Sequence, residues 1–328
     1  MDVSAELNYR LIRKAVKTNP ALLDKPEAIQ DLSRQMLRSP ERYAQDAEDK
    51  ALIELEKAVS LGSREIDDEL DAFYEAAEGM KPYVASDLPR LKQGLQKALE
   101  LDPHCYDAQI LLSLVETVSL DHAIQKLDNL IPEAKEWCMA RSEAIDEPTE
   151  DPFDAVCLRP WLRLEAKIID LLIQGACYRE ALTRSIAMLN RAPQDAQGIR
   201  YMTSLILARL EDEDGLNTLD ARFDHTGNAW MHIARSILLY KLGRIPAARR
   251  ATLGLANLCP GLAFYLVNPT YTEPYLPDRP YFTPGTSQES LLASYEAEFL
   301  IADTPEYIAW ALSLEGFKNA AETFHEPS

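Results

Sequence analysis

Glycine is scarce in this sequence, twelve residues in 328, and runs of alternating β-branched residues are missing. Together these absences argue against a β-rich chain. Positive charge is in short supply too. The 34 lysines and arginines face 53 aspartates and glutamates, which leaves a formal charge of −19. A field of that sign repels nucleic-acid phosphates and disfavours anionic membrane surfaces. It favours solubility and basic partners. Long apolar runs are absent. The greasiest stretches, Ile168–Ile173 and Leu205–Leu207, are flanked by charge and fall far below the roughly 20 residues of a membrane span. The segment Met1–Lys17 lacks an apolar core of the signal-peptide kind. Five cysteines, an odd number with no CxxC, suit a reduced chain better than a disulfide framework. The expectation is a cytoplasmic protein with no membrane insertion and no nucleic-acid partner.

Catalytic signatures are equally thin. The five histidines (His104, His122, His225, His232, His325) show no HExxH and no paired metal spacing. His104 and Cys105 are neighbours and point apart on a helix. His225 and His232 share a helical face only if one helix spans Gly227. No GxSxG, Walker A or GxGxxG motif occurs. Cys177 reads as a packed thiol unless a local positive field activates it. The acid pairs Asp67-Asp68 and Asp212 with Asp214 lie in solvated, charge-rich stretches. No catalytic residue, cofactor or metal is assigned, and the chain is read as a non-enzyme.

What the sequence does contain is helix. Leucine, alanine, glutamate and arginine dominate the middle of the chain, and apolar residues recur at helical spacing almost throughout. Tyr9, Ile12 and Val16 are expected on one face, as are Leu52, Leu55 and Val59, then Leu91, Leu95 and Ala98. Leu182, Ile186 and Leu189 follow, then Leu292, Tyr295 and Phe299. Ser39-Pro40-Glu41 and Thr304-Pro305-Glu306 each offer a capping hydroxyl, an N1 proline and a first-turn carboxylate, and both read as helix starts. Two stretches break the pattern. Glu143–Asp154 carries six acidic residues and no basic one, and reads as an acidic loop. Pro260–Pro284 holds six prolines interleaved with aromatic residues. It is expected to avoid regular helix and lie extended against the helical body.

Internal repetition is the strongest signal. Gly243 lies five residues before Ala248, and Pro260 lies twelve after it. Ala181 to Pro193 spans twelve again, with one extra residue in the preceding turn after Gly175. Ala98 lies five before Pro103 in the phrase KALELDP. In each, a small residue sits where two helices cross closely and a proline closes the unit. These are the spacings of a tetratricopeptide unit, two helices in about 34 residues. Residues 106–130, with Ala123 as the small residue, look like another hairpin, and 196–227 like a degenerate one. The expected fold is therefore all-α, a tetratricopeptide-like α-solenoid of stacked antiparallel helix hairpins. Its divisions are an N-terminal helical region (1–85), hairpins with tetratricopeptide-like closure (86–142), the acidic loop (143–157), further repeats (158–260), and a Pro/Tyr-rich segment with C-terminal capping helices (261–328).

Lys97–Leu130, the acidic linker, Arg159-Pro160-Trp161-Leu162-Arg163, then Arg179–Tyr201 and the Pro- and Tyr-rich tail follow one another in order. This succession, over roughly residues 90–315, resembles the suppression-of-tumorigenicity family of tetratricopeptide-like proteins and its bacterial relatives of unassigned function. The resemblance implies the helical-repeat fold. It carries over no catalytic residue, and the membrane spans of the animal members are not expected here.

Stacked hairpins curve, with the first helix of each unit lining the concave side. Alignment on the closing prolines places Gln197, Arg200 and Ser204 there, and Trp230, Tyr240 and Lys241 in the next unit. Arg200 and Lys241 are suited to clamp a carboxylate, and Trp230 and Tyr240 to anchor a partner, unless the rings are core. The expected function is a scaffold that binds a protein or peptide in this groove, with the acidic surface suited to a basic partner. The alternative is an enzyme or small-ligand sensor on the same helical scaffold, built around convergent polar groups in a pocket. The aromatic tail either caps the stack or offers a second partner surface.

Overall fold

A computed structural model describes residues 3–60, 88–145, 152–268 and 279–325. Every regular element among them is a helix, α or 3-10, and none is a strand. The chain is all-α. The described residues fall into two compact units, one running to Lys167 and including 279–280, the other 168–268 with 281–325.

The first unit begins with α1 (Val3–Thr18), α2 (Pro26–Arg38) and α3 (47–60). It continues with α4 (Leu88–Leu101), α5 (Tyr106–Glu116), α6 (Leu120–Asp128) and α7 (Ile131–Ile145). Proline at N1 starts α2, and the Ser119 hydroxyl accepts from the His122 N–H to start α6. Helix α3 is shared between two apolar clusters. Ile53 packs with Leu7, Leu11 and Met36, while Leu55 and Ala58 pack with Leu95, Ala98 and Leu111. At the α3–α4 crossing a Cβ on Gly94 would lie 2.6 Å from that of Ala58, so only glycine fits. The buried stripe of α1 is Leu7 and Leu11, and Tyr9 is exposed; the apolar face is turned from the Tyr9–Ile12–Val16 line expected of it.

Ion pairs tie this unit together. Arg10 and Lys14 converge on the fully buried Asp49 at 2.7 and 2.6 Å. Deeper still, Arg163 joins Glu6 of α1 and Asp107 of α5, and all three side chains are buried. Arg163 stands on α8 (Arg159–Gln174), whose last turns enter the second unit.

That unit continues with α9 (Tyr178–Arg191), α10 (Ile199–Arg209), α11 (Glu213–Arg222), α12 (Ala229–Lys241) and α13 (Ile245–Leu258). Three connections, α8–α9, α10–α11 and α12–α13, are built alike. Each has one left-handed residue, Ala176, Glu211 or Gly243, with φ of 58°, 61° and 68°. Its N–H reaches back to Ile173, Ala208 or Tyr240, and the next N–H reaches Leu172, Leu207 or Leu239 at 2.8–3.0 Å. This is the Schellman pattern, which satisfies the last carbonyls of a helix and reverses the chain. The following helix starts two residues later each time. Its fifth residue on from the left-handed one is Ala181, Leu216 or Ala248, buried in every case. The middle connection thus has leucine where the other two have alanine.

Around α10 pack α9, α11 and α12, and α12 packs on α13. The chain then forms α14 (Leu262–Val267), α15 (Ser287–Glu296), α16 (Glu298–Ala302), α17 (Glu306–Leu312) and α18 (Glu315–Thr323). Helix α14 corrects the expectation of no regular helix in Pro260–Pro284. No proline falls between 260 and 269, so six consecutive residues keep their donors. Gly261, left-handed at φ 74°, starts it, and Phe324 packs where its Cβ would be. Residues 269–278, with Tyr271 and Tyr275, lie outside the described residues, as do Asp67-Asp68 and 146–151 of the acidic segment. The two expected helix starts differ. Ser39-Pro40-Glu41 opens only a 3-10 turn and the Ser39 hydroxyl caps nothing; Thr304-Pro305-Glu306 does open α17, but the buried Thr304 hydroxyl has no partner among the described residues.

Candidate functional site

Of the six residues expected to line the groove, Gln197, Arg200 and Ser204 lie before or on α10, Trp230 at one end of α12, and Tyr240 and Lys241 at its other end. At the first end, Arg200 donates to Asp195 at 3.4 Å and to the Tyr201 hydroxyl at 3.0 Å, its guanidinium lying over the Tyr201 and Phe223 rings. Asp195 also accepts from the Ile199 and Arg200 N–H groups, so it caps α10 while holding Arg200. Gln197 precedes this helix and is half-buried; Ser204 is buried and donates to the Tyr201 carbonyl. Trp230 is 0% exposed, stacked on Tyr201 with centroids 4.3 Å apart.

Tyr240 and Lys241 lie about ten residues further along α12, or about 15 Å at 1.5 Å per residue. Arg200 and Lys241 therefore do not form one clamp. Tyr240 meets Tyr307 and Trp310, centroids 5.6 and 4.9 Å away. Lys241 donates to Asp303 at 2.9 Å and to the Arg209 carbonyl at 3.0 Å. Arg209, at the equivalent end of α10, also pairs with Asp303, at 2.9 Å.

Most of these partners belong to the chain's own C-terminal segment. Phe282 packs on Tyr201 and Trp230. Glu289 accepts from the Ala229 N–H, and Glu296 from the indole N–H of Trp230, both at 2.6 Å. Asp303 receives the two cations, and the Tyr307 hydroxyl meets Ser236 and Thr252. Helix α15 lies on α12 and α16 on α10. The face of α10 and α12 that carries these residues is thus occupied from within, and Trp230, whose ring lies under that segment, is core. Sequence reasoning missed Glu289, Glu296, Asp303 and Tyr307. For Tyr307 the available signal was Ser236 and Thr252, small polar residues inside otherwise apolar helix faces, which need buried partners.

No group of three or more His, Cys, Asp or Glu side chains is arranged to hold a metal ion among the described residues. Among them, too, no helix is long and apolar enough to cross a membrane. Asp212 caps α11 by accepting from the Gly215 N–H, and Asp214 sits in its first turn. His225 pairs with Asp220 at 3.0 Å, whereas burial holds His232 below the ordinary imidazole range. Burial also pushes the Cys105, Cys138 and Cys259 thiols up to about 12, with Asp107 adding to the effect at Cys105. Cys177 is exposed.

An aromatic disulfide reagent at pH 8 therefore gives a fast phase from Cys177, and Cys177→Ser removes it. The three buried thiols, with a thiolate fraction on the order of 10⁻⁴ at that pH, wait for the fold to open. Cys157 is half-buried, so the decisive variant is C157S/C177S, and a fast phase that survives in it would refute this ordering.

No protein-family model matches the chain, and no curated protein matches it.

Proposed function

We propose that this chain is a protein-interaction scaffold, not an enzyme, built on a tetratricopeptide-like solenoid whose hairpins run through α8–α13. The observation that carries the reading is the repeated turn. Ala176, Glu211 and Gly243 follow one another at intervals of 35 and 32 residues, each with the same pair of backbone bonds and the same buried position five residues on. Those intervals bracket the 34-residue tetratricopeptide period. The proposed likeness to the suppression-of-tumorigenicity family rests on the order of sequence phrases alone.

Such stacks present surfaces and rarely make pockets. Here the face formed by α10 and α12 carries the chain's own acidic and aromatic side chains, so a partner is taken on the outward surfaces. The net charge of −19 keeps a basic partner in view for the acidic surfaces. Crosslinking in cytoplasm of the native source, followed by purification of the full-length chain and mass spectrometry, tests the proposal. The expected result is a protein recovered in stoichiometric amount. A chain that emerges as a bare monomer, with and without crosslinker, would sink it.

A further inference from the structure

Acidic residues are spread through the chain at about one in six, 53 in 328, yet none occurs from His225 to Thr272. That stretch of 48 residues carries five cations: Arg235, Lys241, Arg244, Arg249 and Arg250. Three are already paired in the fold, Arg235 with Asp220, Lys241 with Asp303 and Arg244 with Glu213. Arg249 and Arg250 differ. Both lie exposed on α13, and neither has a hydrogen-bond or ion-pair partner among the described residues.

Helix α13 buries Ala248, Thr252 and Leu255, the side turned toward the rest of its unit. Its open arc holds Pro246, Arg249, Arg250 and Asn257, with Ile245 and Leu258 exposed at the two ends, 42% and 65%. Mid-helix, a Cβ on Gly254 would meet nothing within 4 Å. Glycine is disfavoured in a helix interior, and here no neighbour among the described residues requires it. It sits one turn from both Arg250 and Leu258, where it lets another backbone come close. Two guanidiniums with no partner among the described residues, set between two exposed apolar side chains over about 20 Å of helix, match a helix of similar length with carboxylates one turn apart and an apolar edge.

We infer that the outer face of α13 is a docking surface for an acidic amphipathic helix of a partner protein. The inference deepens the scaffold reading and rests on it. Charge complementarity selects the occupant. The −19 net charge opposes a densely charged phosphate polymer or lipid surface, but a short helix bearing a few carboxylates meets only the local cations.

Panning a phage library of helical peptides against the immobilised full-length chain tests it. The enriched peptides are expected to be net acidic, with Asp or Glu at i, i+4. Their affinity falls about tenfold or more in R249E/R250E, less in R249Q/R250Q, and falls with added salt. Both variants alter exposed side chains, and circular dichroism with thermal melting checks that each is folded. Peptides that bind the wild type and R249E/R250E equally overturn this surface while leaving the scaffold reading in place. A library that yields no binder at all counts against both. Phosphatidylserine vesicles that sediment the wild type but not R249E/R250E, or self-association of the wild type that R249E/R250E abolishes, give the face to a membrane or to a second copy and overturn the acidic helix.

Discussion

Arg163→Met lowers the stability of the first unit by about 3–5 kcal/mol, the cost of stranding buried carboxylates without their cation. The Arg163 guanidinium donates from Nε to Asp107 at 2.8 Å and from Nη1 to Glu6 at 2.7 Å, with a further bond from Nη2 to Asp107. The three side chains are 3–8% exposed, so water screens little of the interaction and replaces none of the bonds. Methionine fills much of the volume but leaves Glu6 and Asp107 facing each other with their charges uncompensated. Urea unfolding, followed by circular dichroism on the full-length chain, reads the loss. The triple variant R163M/E6Q/D107N recovers most of it, because the same neutral groups are no longer ions buried without partners. If the single variant unfolds within about 1 kcal/mol of the wild type, the node is solvated and the interpretation fails.

The node also marks the boundary of what sequence could deliver. Glu6 and Arg163 are 157 residues apart, and no local pattern announces such a pair. Apolar spacing found the helices, because burial of one face writes a period of 3.6 into the residues themselves. It misplaced faces where the period was sampled too sparsely. In α9 the buried set is Ala181, Ser185, Met188 and Leu189, while Ile186, expected inside, stands exposed. Hairpin spacing was legible for a different reason. This chain reversal uses one residue with positive φ, which glycine favours, and a small residue eases the crossing; Gly243 with Ala248 states both. Glu211 with Leu216 states neither, yet makes the same turn, so tertiary packing overrode local preference there. The partners of Trp230 were hidden because Glu296 and Phe282 reach it from 66 and 52 residues away, Phe282 from the proline-rich stretch expected to lie extended against the helical body and Glu296 from the helix after it.

Trp230→Ala separates the two roles that sequence allowed this residue. A tryptophan at a partner interface leaves folding intact when truncated and weakens binding. A tryptophan in the core removes a large buried side chain, and the expected loss is about 3–5 kcal/mol. The structure gives the ring no exposed surface, a stacked neighbour in Tyr201 and a second in Phe282, with centroids 5.3 Å away. Its indole N–H donates to Glu296, a bond that fastens α15 to α12. Truncation thus opens a cavity and frees the C-terminal segment at one point, while Asp303 on Arg209 and Lys241 still holds it at another. The expected signature is a lower urea midpoint together with faster proteolysis near residues 281–296, both milder in Trp230→Phe, which keeps an aromatic ring but loses the N–H. A Trp230→Ala chain that melts with the wild type and loses only binding would return this residue to the interface, and with it the claim that the face of α12 is filled by its own chain.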